Sequence, residues 1–245
     1  MKLSRLFCPP PFEARHSKRT FVASPDDERS RPDRALIETA LEVVRKTLEV
    51  DIADLCQRLP AADWDPALWP GEHYRLLAGL VAHLQPRTVV EIGTETGLSA
   101  LCLAKYLPAD GRLVTFDLIP WQDFPNTCLT PTDFADGRLK QELADLSDPE
   151  AFSRYTSLLA QADLIFLDGP KDGKFEPALA AKLETLKFSH VPYVLFDDIR
   201  DRNMLRFWRE LSQPKLDFSS FGHWTGTGLV RWEDTEPEAA RSTPA

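Results

Sequence analysis

Asp168 and Lys171 stand three residues apart in FLDGPK, and Asp197 and Asp198 are adjacent in VLFDDI. Each acid closes a short apolar run that reads as a buried strand. If those strands are parallel neighbours, their ends lie about 4.8 Å apart, and three carboxylates converge on one rim. Such a cluster repels itself unless positive charge intervenes. A hard divalent cation held by carboxylate oxygens is the natural neutraliser, and Mg2+ is the first expectation. Beside a bound cation the Lys171 ammonium is disfavoured, and a neutral lysine is a competent general base. The same cation would acidify a coordinated hydroxyl, so metal and Lys171 would act on one proton. The bland alternative is that these acids cap helices or face water, and for Asp172 that is the expectation. Lys174, in the same loop, is expected to face solvent.

A second constellation lies upstream in VVEIGTETGLS. Gly93 and Gly97 are spaced to make a tight strand-to-helix turn, and such turns at the carboxyl ends of a parallel sheet receive ligands. The nicotinamide fingerprint would need glycine at position 95, where this chain has Glu95. A glutamate opposes a pyrophosphate, so a cofactor without phosphates fits better. The next strand ends in Asp117, where a carboxylate can accept the hydroxyls of a ribose. Together these residues suggest an adenosine-bearing ligand.

These groups need a scaffold that brings strand ends together. From Arg34, ALIETALEVVRKTLEVDIADLCQRL repeats apolar residues at three- and four-residue steps, as one or two amphipathic helices do. After the break at DWDPALWPG, EHYRLLAGLVAHLQ is helical and RTVVEIG is a strand. The chain then alternates: helix LSALCLAKYL, strands RLVTFDL and RLKQELAD, helix DPEAFSRYTSLLAQ, strand DLIFLD, helix FEPALAAKLETLK, strand YVLFDDI. The pattern predicts an α/β, Rossmann-like doubly wound fold, its mostly parallel sheet covered by helices on both faces. The tail LDFSSFGHWTGTGLVRWE predicts one or two strands forming an antiparallel edge. Residues 1–33 read as an arm, 34–234 as one domain and 235–245 as a frayed tail.

Composition narrows the partners. A net charge of -9 and a pI near 5.1 argue against nucleic acid, which needs clustered Lys and Arg. The sequence has neither a membrane-length apolar run nor a signal-peptide core, so no membrane is expected. Four cysteines, with no zinc or disulfide spacing, fit a reducing cytoplasm. The partner expected is a small-molecule acceptor, and a homodimer is compatible with the sequence. His73, Trp69, Trp121, Phe175 and Trp224 are candidates for the acceptor pocket, with the segment before Gly71 and the arm as its lid.

From VVEIGTETGLSALCLA with LVTFD, through DLIFLDGPK to VLFDDI, the chain resembles class I S-adenosylmethionine-dependent methyltransferases. The resemblance implies that Glu91, Gly93, Thr94, Gly97 and Ser99 line the methionine half of the cofactor, that Asp117 holds its ribose and that Asp145 lies near its adenine. The D-x-x-K arrangement and the later acid pair resemble metal-dependent O-methyltransferases of catechol and caffeoyl-CoA type. That likeness implies Asp168, Asp197 and Asp198 as metal ligands and Lys171 as the base. Those enzymes usually carry Asp-Asn where this chain has Asp197-Asp198, whereas more distant bacterial relatives that methylate sugars or natural products also end this strand in Asp-Asp, so the acceptor stays open among natural-product, sugar and catechol-like hydroxyls. A metal-independent methyltransferase and a silent cofactor-binding module remain the alternatives.

Overall fold

The computed structural model describes residues 29–59 and 71–233. The arm up to residue 28, the proposed lid segment with Trp69, and the tail beyond residue 233 lie outside them. Seven strands form one sheet: β1 (Thr88–Ile92), β2 (Arg112–Asp117), β3 (Leu139–Leu143), β4 (Leu164–Leu167), β5 (Tyr193–Asp197), β6 (Lys215–Asp217) and β7 (Thr227–Arg231). Their spatial order is β3-β2-β1-β4-β5-β7-β6. The pairings from β3 through β5 are parallel, and β7 runs antiparallel to both β5 and β6. The expected Rossmann-like sheet with an antiparallel edge is therefore present.

Alternation along each strand divides the core. Val89, Leu113, Phe166 and Leu195 pack on the face covered by α1 (Arg34–Thr47), α3 (His73–Leu84) and α4 (Leu98–Lys105), with the short α2 (Ala53–Cys56) beside them. Val90, Val114, Ile165, Val194 and Phe196 serve the other face, under α5 (Pro149–Ala160), α6 (Phe175–Leu183) and α7 (Met204–Glu210). The helical run expected over 34–59 as one or two helices forms two, and α7 is an element the periodicity reading did not name. Met204, Leu205 and Trp208 bury its inner side.

Strand period two then dictates where the acids point. Asp168 follows Phe166 by two residues and Asp197 follows Leu195 by two, so both side chains aim toward the α3 face. The β4–β5 register sets Leu167 opposite Phe196, which brings Asp168 beside Asp197. Likewise Ile92 is opposite both Phe116 and Leu167, which sets Gly93 between Asp117 and Asp168. The reversal of strand order between β1 and β4 is the switch point at which ligands enter such sheets.

Candidate active site

A cleft of about 650 Å3 opens at this switch point, lined by Gly93, Glu95, Asp117, Asp145, Asp168 and Lys171 among others. Gly93 sits at φ 104°, and a Cβ there would meet the Asp168 carbonyl oxygen at 2.2 Å. Only glycine permits β1 to turn this close to β4. Asp117 locks the turn: one oxygen accepts from the Thr94 and Glu95 amides at 2.9 and 3.0 Å, the other from Leu118 and Ile119 at 2.7 and 3.1 Å. The carboxylate expected to hold a ribose is thus also the clasp of the glycine loop. Asp145 accepts from the Ser147 amide at 2.8 Å on the same wall, where the exposed Leu118 and Ile119 supply apolar surface.

The remaining residues expected near the cofactor lie behind that wall. Thr94 is buried and turns its hydroxyl to Thr115 and Gln141, at 2.8 and 3.1 Å. Gly97 is the N-cap of α4, packed on Leu129, and Ser99 is buried in the first turn of that helix. Glu91 is fully buried, and neither carboxyl oxygen has a hydrogen-bond partner. Burial pushes its pKa up to about 8, only partly opposed by the nearby Thr115 and Ser99 hydroxyls.

At the rim, Lys171 Nζ contacts Asp168 Oδ1 and lies 3.3 Å from Asp198 Oδ2 and 3.9 Å from Asp197 Oδ2. Lys171 and Asp198 both adopt positive φ, at 50° and 55°, which side chains other than glycine rarely do. The Lys171 backbone is held there by Glu176, which accepts from its amide at 2.9 Å, and by Asn203, which donates to its carbonyl at 3.1 Å. Backbone strain fixed from both sides is characteristic of functional positions. Asp172 accepts from the Lys174 and Phe175 amides as a local cap for α6, its expected ordinary role. Lys174 and Phe175 border the cleft.

The electrostatics follow from burial and crowding. Burial, then the neighbouring Asp197 charge, push the Asp168 carboxyl up. Burial would raise Asp197 too, but His73, His223 and Lys171 hold it well below the usual range. Burial works against the Lys171 charge, yet Asp168, Asp197 and Asp198 outweigh it and raise its pKa. The lowering expected from the sequence presupposed a cation among the carboxylates; here the ammonium is itself their counter-ion.

Two histidines complete the cluster. His223 Nε2 bonds to Asp197 Oδ1, and His73 Nδ1 lies 3.6 Å from the same oxygen. Burial drives the His73 pKa down to about 4. The sequence marked His73 and Trp224 but not His223, which sits in a glycine-rich loop with no periodicity to single it out. Trp224 is largely exposed and Trp121 stacks on Phe134, with centroids 5.2 Å apart, so neither joins the cluster.

The oxygens of Asp168, Asp197 and Asp198 all fall within 4.8 Å of one another. Octahedral bonds of about 2.1 Å put opposite ligands about 4.2 Å apart, so these donors suit one hard cation in chemistry and lie near the span that it needs. Glu91, with two orphaned oxygens, suits the ammonium group of an amino-acid-bearing cofactor in the same way.

Comparison with known proteins places the fold. A SAH-bound methyltransferase from Podospora anserina, PaMTH1, superposes with a TM-score of 0.52 at 16% identity, covering 80% of this chain and 88% of its own. A Staphylococcus aureus protein provisionally assigned as a caffeoyl-CoA O-methyltransferase gives 0.51 at 11% identity, covering 80% of this chain and all of its own. The O-methyltransferase family model matches residues 52–175, just over half of the sequence and inclusive of the glycine turn, Asp117, Asp168 and Lys171. This chain belongs to the O-methyltransferase family.

Proposed function

We propose that the protein transfers the methyl group of S-adenosylmethionine to a hydroxyl of a small molecule, assisted by a divalent cation. The observation that carries this reading is the junction of Lys171 with Asp168, Asp197 and Asp198 at the mouth of the cleft. PaMTH1, similar in fold, is bound to SAH, the demethylated cofactor, which supports S-adenosylmethionine as the methyl donor. When bound, S-adenosylmethionine supplies an electrophilic methyl on a sulfonium, and a cation such as Mg2+ supplies the charge that favours an oxyanion.

The chain's own residues then have defined work. Gly93 lets the backbone approach the cofactor, Asp117 faces its ribose, and Asp145 with Leu118 and Ile119 faces its adenine. Glu91 meets the methionine ammonium, while Thr94, Gly97 and Ser99 shape the turn around that end. Asp168, Asp197 and Asp198 hold the cation. With a cation among the carboxylates the Lys171 ammonium would be disfavoured, and its neutral Nζ would take the acceptor hydroxyl proton as the new oxygen–methyl bond forms and the sulfur–methyl bond breaks. Positioning carries much of such an in-line displacement. The acceptor is a catechol-like, sugar or natural-product hydroxyl, and the compartment is the cytoplasm, where the thiols of Cys102 and Cys128 stay reduced.

One observation favours a second reading, metal-independent transfer: the Lys171 ammonium already neutralises part of the acid cluster. Chelation separates the two. Methyl transfer to a panel of catechols and other diols should cease in excess EDTA and return with Mg2+; transfer undiminished in EDTA would select the metal-independent mechanism.

A further inference from the structure

Asp197 turns its two carboxyl oxygens to different company. Oδ2 is the one nearest Lys171, at 3.9 Å, whereas Oδ1 accepts from His223 Nε2 and lies 3.6 Å from His73 Nδ1. A separation of 3.6 Å is too long for a hydrogen bond. His73 Nδ1 is consequently buried without a partner, on a side chain only 6% exposed and aimed at the Asp197–His223 pair. Buried ring nitrogens are ordinarily satisfied, so this one marks a group that belongs beside it.

We propose that His73, His223 and Asp197 form a cation position of their own, adjoining the three-carboxylate cluster through Asp197 and suited to a first-row transition dication such as Zn2+ rather than to Mg2+. Two imidazoles and a carboxylate are the donors that borderline metals take, whereas Mg2+ takes oxygen. All three ligand atoms lie within 4.8 Å of one another. Zinc bonds of about 2.0–2.2 Å at tetrahedral angles separate ligand atoms by about 3.3–3.6 Å. His73 Nδ1 and Asp197 Oδ1 already stand at that spacing; His223 Nε2, now in hydrogen-bond contact with Oδ1, has to withdraw slightly.

The surroundings hold both rings in place. Thr225 Oγ1 bonds to His223 Nδ1 and thereby leaves Nε2 as the nitrogen facing Asp197, the outer support that metal-binding imidazoles commonly have. Gly71 and His223 pair as an isolated antiparallel bridge. A Cβ on Gly71, at φ 131°, would meet the Gly222 carbonyl oxygen at 2.4 Å, so the two loops dock backbone on backbone. That docking sets the imidazoles edge to face, with centroids 4.8 Å apart. The site shares Asp197, and no other ligand, with the three-carboxylate cluster.

The test is ring-nitrogen NMR of the full chain labelled with 15N-histidine, titrated with Zn2+ alone and, separately, with Mg2+ alone. One equivalent of Zn2+ should move Nδ1 of His73 and Nε2 of His223, and Mg2+ should coordinate neither. His73→Gln and His223→Gln should each abolish one response and weaken Zn2+ binding by more than the about 10- to 100-fold that loss of a supporting partner costs. Asp168→Asn should leave both responses intact, although it would disable a magnesium cluster. Zn2+ shifts confined to other imidazoles, or Zn2+ affinity unchanged in both glutamine variants, would overturn the site. The unmutated protein decides the first point even if a variant folds poorly.

Discussion

Lys171 is surrounded by three acids that would repel one another without it, and its loss should act on methyl transfer and not on cofactor binding. Lys171→Met removes the proposed proton acceptor, so methyl transfer should fall by about 10²- to 10⁴-fold, the usual contribution of a general base. Cofactor binding, measured calorimetrically, should change little, because the cleft wall formed by Asp117 and Asp145 is untouched. Glu91 yields an opposite kind of result. Its folded pKa, near 8, lies above the ordinary 4.5, so the native state holds the proton over a range in which the unfolded chain has released it. Stability that this carboxyl contributes at low pH is lost as pH rises from about 4.5 to 8, by at most about 1.4 kcal/mol per unit. Glu91→Gln should therefore melt above the unmodified protein by a margin that grows between pH 5 and 8 and then levels off, while binding S-adenosylmethionine more weakly. A margin flat with pH would contradict the burial argument. The convergence of Asp168 and Asp197 was legible in the sequence because each ends an apolar run, where strand parity fixes its direction. His223 was not, because its approach to Asp197 depends on the docking of Gly71 against Gly222, which no local pattern encodes.

The strand-end loops are where individual residues become a site. Asp117 accepts four backbone amides that fasten the glycine turn to the end of β2. Asp117→Ala should lower thermal stability by about 2 kcal/mol or more as well as weaken cofactor binding, since hydrogen bonds to a charged group are worth about 1.5–3 kcal/mol each. A loss of affinity with an unchanged melting temperature would show that the clasp is unimportant. Glu176 supports the Lys171 loop from α6 through the Lys171 amide. Glu176→Ala should depress kcat and spare cofactor affinity, and Glu176→Gln, whose amide oxygen can still accept that bond, should recover most of the rate. At this scale the strands were readable from β-branched runs and their closing acids. The seven-residue α7 was not, because an element that short offers too few turns for periodicity to stand out, although Met204, Leu205 and Trp208 follow a helical spacing.

For the whole molecule, the order of strands does the positioning: β2, β1, β4 and β5 deliver Asp117, Gly93, Asp168 and Asp197 in sequence along one edge. Alternating helices and strands announced that sheet, whereas the convergence of β7, α3 and the 221–226 loop on Asp197 required the antiparallel edge to be in place. A cation bound to the folded cluster should stabilise the entire domain, by about 2.7 kcal/mol at a hundredfold excess over Kd, and Asp198→Asn should shrink that gain. The central claim is that this centre uses a cation and Lys171 together to ready a hydroxyl for methylation. Transfer of radiolabelled methyl from S-adenosylmethionine to a diol panel, followed before and after EDTA and again with Mg2+ restored, tests it most directly. The account predicts an O-methylated product that disappears with EDTA and returns with Mg2+ in the unmodified protein but not in Lys171→Met. Undiminished transfer in EDTA, or full transfer by Lys171→Met, would contradict it.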